Sequence, residues 1–382
     1  MALAEIFDEH HRYWSDTVRN NAYAAALARV IKPGMTVADL GCGTGLLGLL
    51  AAQAGAKRVY GIDAGPLLDS AQALFAENGL ADRFIPIQGW SQRVKLPEKC
   101  DLVIADQMGP LGLEAGLLES FQDARRRFLK PTGKLMPQRL KIFAAPVNAP
   151  KLYARIERWN LLHHNLSNFA LREKAVNTIT PFKWMSNQLQ TLPTHILNID
   201  LQKLKPGVSH LKGRVTFTLK HPVTLHGIAA GFEATLAQRI SFSNLPDVPD
   251  CIDRDAAFFP LEHPLNLPSG STLEFTLDAH PSAQLYSWTT VATPPNGKPQ
   301  CFTQSTFKGL LTSAAFIKQS MPAAKPALHA HGDAVRTILA LCNGKHSVAA
   351  IEQAVFVKHK EFFTEPSRAS ALVAEVLRSH AL

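Results

Sequence analysis

The sequence has few cysteines, no cysteine pair motif and no long apolar run. Its five cysteines are scattered over 382 residues without a Cys-x-x-Cys pair, which argues against a disulfide scaffold or a zinc ribbon and indicates a reducing compartment. The first residues, MALAEIFDEHHRYW, carry early acids and histidines and no apolar segment typical of a signal peptide. The most apolar stretch contains Asp39, so it predicts a buried strand and helix and no membrane span. We expect a cytoplasmic protein.

Metal ligands and nucleic-acid contacts are also poorly represented. Three histidine pairs lack carboxylate or cysteine neighbours at metal-ligand spacing, so we predict no metal site. The formal net charge of +9 favours acidic partners, but the last helical segments carry little clustered arginine or lysine, which disfavours nucleic acid. The histidine pairs are His10-His11, His163-His164 and His329/His331.

Strand-like and helix-like runs alternate between residues 35 and 145. Such alternation predicts a parallel sheet with helices on both faces, as in Rossmann-like folds. Beyond about residue 150, apolar and polar residues alternate between proline and glycine turns, which predicts an antiparallel sheet or barrel. The strands expected in the first region are Thr36–Leu40, Arg58–Ile62, Phe84–Gln88, Leu102–Ala105 and Lys134–Met136.

A glycine-rich turn, DLGCGTG, joins the first expected strand to a helix. The run GTGLLG matches the dinucleotide fingerprint, with Asp63 near the expected distance. An alternative frame places Asp39 two residues before Gly41, followed by Gly43 and Gly45. A buried carboxylate at a strand end needs a positive partner to offset its desolvation, and the ammonium group of S-adenosylmethionine supplies one. We therefore favour S-adenosylmethionine over a nicotinamide dinucleotide, with Asp63 accepting hydrogen bonds from its ribose.

With these motifs, the sequence resembles the protein arginine methyltransferase family over residues 10–145, and more loosely to about residue 320. The segment WSDTVRNNAY resembles the family's helical motif. This resemblance implies that Arg19 grips the carboxylate of S-adenosylmethionine and that Asp16 is the acid of the motif. The segment IQGWSQRVKLP resembles the stretch that contacts adenine, with Gln92 in the place of the family's acid.

The segment DLVIADQMG falls where the resembled family carries the first glutamate of a double-glutamate loop. A guanidinium group is a poor nucleophile because it is always charged. Two carboxylates can hold it bidentately and aim one nitrogen at a methyl group. The resemblance therefore implies that Asp106 and Glu114 are catalytic acids that orient the acceptor, with Glu119 as a weaker candidate for the second position.

One departure from the resembled family concerns the acceptor. The family's barrel carries a Thr-His-Trp loop whose histidine pairs with the aspartate of the helical motif, and the matching tripeptide here is Ile252-Asp253-Arg254. Asp16 then lacks this partner unless Arg254 supplies an ion pair. Because a neutral imidazole needs less activation than a guanidinium group, histidine or another nucleophile stays open as the acceptor beside arginine.

The C-terminal segment, 328–382, has the rhythm of a helix, an Asn343-Gly344 turn, a helix that starts at Ser347 and a last helix. It resembles the small winged-helix domain of the pyrroloquinoline-quinone D type. This resemblance implies binding of a leader peptide as an added edge strand. A helical cap on the barrel and a nucleic-acid-binding winged helix are the alternatives.

These observations predict an S-adenosylmethionine-dependent methyltransferase of the EC 2.1.1 class that acts on a protein or peptide side chain, most simply arginine. The alternatives are histidine or another nucleophile in a ribosomal peptide recruited by the C-terminal domain, and a small molecule or RNA. By analogy with the family, residues 150–195 are a candidate arm for a homodimer. The predicted domains are 1–33, an N-terminal helical cofactor lid; 34–146, a Rossmann-like domain; 147–320, a β-barrel-like substrate domain; 321–327, a linker; and 328–382, a winged-helix-like domain.

Overall fold

The structure is a computed structural model whose chain divides into two compact units, Met1–Leu310 and Leu311–Leu382. The last strand of the first unit ends at Ser305, and the second unit begins at Leu311. The division therefore lies before the linker expected at 321–327. No helix among the described residues is both long and apolar enough to cross a membrane. The structure describes residues 3–160, 168–205, 207–312, 314–319, 321 and 323–380.

The first unit begins with helices that lead into a parallel sheet. The single helical lead-in expected before the sheet is two helices, because Asp16 interrupts it and its side chain accepts a hydrogen bond from the Arg19 amide as the N-cap of the second. The helices are α1 (Leu3–Ser15), α2 (Thr17–Val30), α3 (Leu46–Gln53), α4 (Leu68–Glu77) and α5 (Leu117–Arg127).

All five expected strands are present in the parallel sheet. They are β1 (Thr36–Leu40), β2 (Arg58–Asp63), β3 (Phe84–Gln88), β4 (Cys100–Ala105) and β5 (Leu129–Met136). Their order is β3-β2-β1-β4-β5, and every neighbouring pair is parallel. The central strand β1 is buried along its whole length, as a strand covered on both faces should be. The loops after β1, β2 and β4 therefore open at one edge of the sheet, where ligands bind in open α/β folds.

Antiparallel sheets follow in the same unit. One has the order β7-β12-β10-β6-β8, with β11 on β10, and the other has the order β15-β14-β13-β9. The strands are β6 (Arg139–Val147), β7 (Thr180–Phe182), β8 (Thr194–Asp200), β9 (Leu211–Thr218), β10 (Val223–Ala237), β11 (Ile240–Ser243), β12 (Ala256–Leu267), β13 (Thr272–His280), β14 (Leu285–Thr293) and β15 (Gln300–Ser305). The predicted antiparallel, barrel-like region is confirmed.

The start of this region differs from the expected residue 147. The sheet begins at Arg139, because β6 pairs with both β10 and β8 from its first residue. Within the expected dimerisation arm, 150–195, the described residues include two α-helices, the short strand β7 and the start of β8. His163 and His164 lie outside the described residues. The helices of this unit that follow β6 are α6 (Pro150–Glu157), α7 (Phe169–Val176) and α8 (Thr306–Gly309).

The second unit is helical and has its own apolar core. Ser347 caps one of its helices by accepting a hydrogen bond from the Ala350 amide, as the sequence predicts. No strand occurs among the residues that are described in this unit, so the expected addition of a peptide as an edge strand finds no sheet edge there. The helices are α9 (Ala314–Gln319), α10 (Ala330–Leu341), α11 (Val348–Lys358) and α12 (Pro366–His380), and the core includes Ile338, Val355 and Val373.

Candidate active site

The glycine turn between β1 and α3 adopts backbone conformations that favour glycine. Gly41, Gly43 and Gly45 have φ angles of 65°, 52° and 78°, a region that other residues rarely enter. A Cβ on Gly43 would also lie 2.4 Å from His10 Cε1, and one on Gly41 would lie 2.9 Å from Gln107 Nε2. The turn therefore needs glycine both for its φ angles and for its close contacts.

Helix α1 lies across this turn. Besides the His10 contact, Trp14 Nε1 donates a hydrogen bond to Thr44 Oγ1 at 2.9 Å. Burial lowers the pKa of His10, so the imidazole is mainly neutral at pH 7. Helix α1 therefore contacts the glycine turn directly, and the cofactor lid expected over 1–33 stays a prediction.

Two acids flank the turn. Asp39 is 1% exposed, and its Oδ2 accepts a hydrogen bond from the Gly48 amide at 2.9 Å. Burial raises its pKa to about 7, although the Gly48 hydrogen bond opposes the shift. Asp63 Oδ2 accepts from the Gly43 amide at 2.7 Å, and Oδ1 accepts from the Gly65 amide at 2.6 Å. Each Asp63 oxygen retains a second lone pair for a ligand hydroxyl.

A cavity of about 390 Å³, here called the Asp63 cavity, lies beside this turn. Its volume is within the roughly 300–1,000 Å³ of small-molecule sites. Three of the residues predicted to bind the cofactor line it, namely Gly41, Asp63 and Gln92. The other predicted residues, namely Arg19, Asp39, Gly43, Gly45, Asp106 and Glu114, do not line it.

The Asp63 cavity also contains polar side chains that the sequence did not assign to it. Glu119 and Gln107 line it, and Glu119 Oε2 and Gln107 Oε1 are buried without a hydrogen-bond partner among the described residues. Buried polar atoms of this kind are rare, because leaving them unpaired costs free energy. Two orphaned acceptors that face a cavity fit a ligand that carries hydrogen-bond donors. The side-chain amide of Gln92, which also lines the cavity, donates a hydrogen bond from Nε2 to Ser120 Oγ at 3.5 Å.

Asp106 is held between two arginines. Arg19 Nε lies 2.6 Å from Asp106 Oδ2, and Arg254 donates from both terminal nitrogens, at 3.2 Å to Oδ1 and 3.0 Å to Oδ2. The three side chains are 5–11% exposed. Burial opposes ionisation, but the Arg254 and Arg19 guanidinium groups hold the pKa of Asp106 below its ordinary value.

Glu114 is fixed by its own loop. Its carboxylate accepts hydrogen bonds from the amides of Leu111 at 2.8 Å and Leu113 at 3.0 Å, and burial raises its pKa against these bonds. We call the segment from Asp106 to Glu114 the acid loop. Asn244, which follows β11, donates to Pro110 O at 2.8 Å and so anchors the acid loop to the antiparallel region.

The partner expected for Asp16 is corrected by the structure. The tripeptide Ile252-Asp253-Arg254 does meet Asp16, but through the Asp253 amide, which donates to Asp16 Oδ2 at 3.0 Å. The Arg254 side chain turns to Asp106 instead. Arg19, expected on a cofactor carboxylate, contacts Asp106, Tyr13 O at 3.0 Å and Asn20 Oδ1 at 2.7 Å, so its cofactor role stays a prediction.

A second cavity, here called the Arg254 cavity, opens on the other side of these groups, with a volume of about 420 Å³. Arg254 lines it together with residues 108–110 of the acid loop and residues of α1. Its charged lining is mainly acidic, which suits a cationic ligand. The acids are Glu5, Asp8, Glu9, Asp253 and Asp255, and the second base is Arg12.

His210, Asp278 and His280 form a cluster of side chains that could hold a metal ion, although no metal site was predicted. None of the three lines the Asp63 cavity or the Arg254 cavity. His210 Nε2 and His280 Nε2 lie 2.9 Å and 3.6 Å from Asp278 Oδ1. Both imidazoles are about half exposed, and Lys212 Nζ lies 3.7 Å from Asp278 Oδ2. Local spacing carries no signal of this contact, because His210 precedes β9 and lies 68 residues from Asp278, which is in β13.

Solved structures with the same architecture identify the fold. A Trypanosoma brucei PRMT1 enzyme–prozyme heterotetrameric complex with AdoHcy has a TM-score of 0.69 and 20% identity, over 77% of this chain and 97% of that chain. Arabidopsis thaliana protein arginine methyltransferase 10 has a TM-score of 0.67 and 23% identity, over 78% and 96%. This chain has the protein arginine methyltransferase fold.

Sequence comparisons agree with this fold. Residues 23–136 match the family model of ribosomal protein L11 methyltransferase, and residues 140–308 match the PRMT5 oligomerisation domain. A probable protein arginine N-methyltransferase 6 of Arabidopsis thaliana is 30% identical over 236 residues, which is 59% of this chain and 53% of that protein. The chain therefore spans about half the length of this relative. The protein arginine methyltransferase fold ends where the second unit begins.

Proposed function

We propose that the chain is an S-adenosylmethionine-dependent methyltransferase that methylates arginine side chains of proteins or peptides. The observation that carries this proposal is the Asp63 cavity, where a strand-end carboxylate, a glycine turn and the orphaned acceptors of Gln107 and Glu119 line one space. The similarity to protein arginine methyltransferases supports the same chemistry.

The residues around the Asp63 cavity suit an adenosyl cofactor. Asp63 offers lone pairs to ribose hydroxyl groups, and Glu119 and Gln107 offer acceptors to an amino group such as that of adenine. Asp39 places a carboxylate near the glycine turn, and a cationic ligand there would favour its ionised form. When bound, S-adenosylmethionine supplies a methyl group on an electrophilic sulfonium.

The acid loop and the Arg254 cavity suit a basic acceptor. The acidic lining attracts a cationic peptide, and the pairing of Asp106 with the Arg254 guanidinium indicates that its carboxylate has the geometry to hold such a group. With S-adenosylmethionine bound, transfer of its methyl group to a guanidinium nitrogen would leave that nitrogen with one proton to lose. The raised pKa of Glu114 suits it to hold that proton.

We further propose that the second unit recruits the acceptor, as a helical domain that binds a leader peptide. Large apolar side chains of this unit are exposed, including Leu339 at 42%, Val357 at 49% and Phe362 at 40%, and such surfaces favour peptide binding. The match of residues 140–308 to an oligomerisation domain supports a homodimer. A cytoplasmic location is part of the same proposal.

The experiment that tests the proposed function uses labelled methyl donor, the purified chain and a lysate of its own source. The labelled macromolecules are hydrolysed in acid and the modified residues are separated. We expect label in methylarginine, and none when Asp63→Ala replaces the wild type. Label in methylhistidine would keep the methyltransferase and overturn the acceptor. Label only in small molecules or RNA would overturn the recruitment of a peptide.

A further inference from the structure

Arg254 presents to the acid loop the same chemical group that an arginine acceptor would bring. Its two terminal nitrogens contact the two oxygens of Asp106 at 3.2 Å and 3.0 Å. A two-pronged arrangement of this kind is the strong geometry of guanidinium–carboxylate recognition. Because the Arg254 side chain is 11% exposed, it is desolvated in this position, and water does not compete for Asp106.

The charges around Asp106 leave no place for a second acceptor guanidinium beside Arg254. Arg19 occupies Asp106 Oδ2 from the other side, at 2.6 Å. The carboxylate of Glu114 is taken by the amides of Leu111 and Leu113. An incoming guanidinium would therefore add a positive charge to two buried arginines, and such like-charge burial is costly. It binds Asp106 only if Arg254 leaves.

The loop that carries Arg254 is attached at its neighbours. The Ile252 amide donates to Ser243 O at 2.8 Å, and the Asp253 amide donates to Asp16 Oδ2 at 3.0 Å. The backbone is therefore anchored on both β11 and α2, while the arginine side chain has four rotatable bonds. Displacement of Arg254 from Asp106 needs a change of its rotamer toward the Arg254 cavity, and no unfolding of the loop.

We propose that Arg254 is a specificity-determining residue that competes with the acceptor guanidinium for Asp106. This inference rests on the proposed function, because it concerns the acceptor site of that reaction. An acceptor gains access when basic residues beside the acceptor arginine bind the acids of the Arg254 cavity, such as Asp8, Glu9 and Asp255, and so offset the loss of the Arg254 contact. The chain selects arginines in basic peptides and rejects isolated ones.

The test compares the full-length wild type with Arg254→Gln and Arg254→Lys, on one arginine peptide with neutral flanks and one with lysine flanks. A competing internal group lowers apparent affinity by the fraction of molecules it blocks. We expect Arg254→Gln to lower KM for the neutral peptide by at least about tenfold. The basic peptide should gain by a similar factor from its lower starting KM, because both peptides must displace Arg254 in the wild type. Arg254→Lys, which keeps the charge but loses the two-pronged contact, should fall between. Arg155→Gln, at an exposed arginine of α6, is the matched control and should leave both KM values unchanged.

Binding of n-butylguanidinium, measured by calorimetry without methyl donor, separates this inference from the proposed function. We expect tighter binding to Arg254→Gln than to the wild type. If the wild type methylates arginine but both Arg254 variants show unchanged or higher KM for the neutral peptide, the inference is wrong. If no arginine peptide is methylated while n-butylguanidinium still binds Arg254→Gln more tightly, the reaction assignment fails and the competition by Arg254 stands. Should Arg254→Gln not fold, the KM of Arg254→Lys decides, since a value equal to that of the wild type overturns the inference.

Discussion

Asp39 accepts a hydrogen bond from the backbone amide of Gly48, with 2.9 Å between Asp39 Oδ2 and Gly48 N. A Cβ on Gly48 would lie 3.2 Å from the same oxygen and 3.0 Å from Val59 Cγ1. The carboxylate is thus enclosed by α3 and β2, and the hydrogen bond from Gly48 offsets only part of the free energy that its burial costs. Burial of the ionised Asp39 carboxylate therefore lowers the free energy of unfolding of the free protein, and the size of this effect depends on pH.

We predict that Asp39→Asn stabilises the free protein at neutral pH. The pKa of Asp39 is about 7 when folded and about 3.9 in an unfolded chain. The contribution of Asp39 to stability is therefore largest below its unfolded pKa and is lost as the pH rises through 7, because the folded state binds the proton more tightly. Between pH 5 and 8 this loss is about 3 kcal/mol. The asparagine oxygen still accepts from the Gly48 amide but does not titrate.

Urea denaturation of the wild type and of Asp39→Asn at pH 5 and pH 8 measures this effect. The difference between the two proteins in free energy of unfolding should grow toward pH 8 in favour of the variant. Equal pH dependence in both proteins would contradict the prediction. The variant should also bind S-adenosylmethionine more weakly, because it lacks the negative charge near the cofactor.

We predict that Asp63→Ala weakens cofactor binding. The variant lacks the carboxylate that accepts hydrogen bonds from the Gly43 and Gly65 amides and that would accept hydrogen bonds from the ribose. Hydrogen bonds to a charged group are worth about 1.5–3 kcal/mol. The Kd of S-adenosylhomocysteine should rise by about 10–100-fold, which calorimetry can measure. Asp82→Ala, at an exposed aspartate of the same domain, is the control. An unchanged Kd for Asp63→Ala would reject the ribose contact.

We predict opposite effects of Glu119→Gln on stability and on cofactor affinity. Glu119 Oε2 is buried without a partner, so removal of the charge relieves desolvation and should raise the melting temperature of the free protein. The same change removes a charged acceptor from the Asp63 cavity and should raise the Kd of S-adenosylhomocysteine by about tenfold. Thermal unfolding and calorimetry provide the two readouts. A loss of both stability and affinity would indicate a purely structural role.

We predict that Asp106→Asn destabilises the fold because it leaves two buried guanidinium groups without a full counter-charge. Breaking a buried ion pair on one side costs about 3–5 kcal/mol, and Arg19 and Arg254 both lose their partner here. The double variant Asp106→Asn/Arg254→Gln should recover part of this loss, which chemical denaturation can measure. Additive losses in the two single variants and the double variant would show that the pair is not coupled. Asp106→Asn and the double variant should both lack methyl transfer.

The sequence predicted the parallel sheet well because its signals are local. Each strand is a short apolar run next to a turn, and the observed β1, β2 and β3 start at the expected residues. The second sheet region was predicted in type but not in its first residue, because the pairing of β6 with β10 joins residues far apart in the chain. Local patterns carry no information on such pairing.

The same distinction between local and long-range signals applies to the candidate site. Gly41, Asp63 and Gln92 line one cavity because they lie at the end of, or in the loop after, neighbouring parallel strands. Their role in cofactor binding stays a prediction. The pairing of Arg254 with Asp106 depends on a contact across 148 positions and on the desolvation of both groups. A pattern of spacing cannot report either property, and so the sequence suggested Arg254 only as a candidate partner of Asp16.

The Asp63 cavity has walls from both sheet regions of the first unit. Gln107 and Glu119 come from the parallel-sheet region, while Pro281, Ser282 and Gln284 come from the turn between β13 and β14. Gln284 Nε2 also donates a hydrogen bond to Glu114 O. The two matched family models meet at residues 136 and 140, so a chimera joined at that point would take most of the cavity lining from one parent and Pro281, Ser282 and Gln284 from the other. Recombination of this fold therefore keeps the cavity lining together only when both regions are exchanged as one piece.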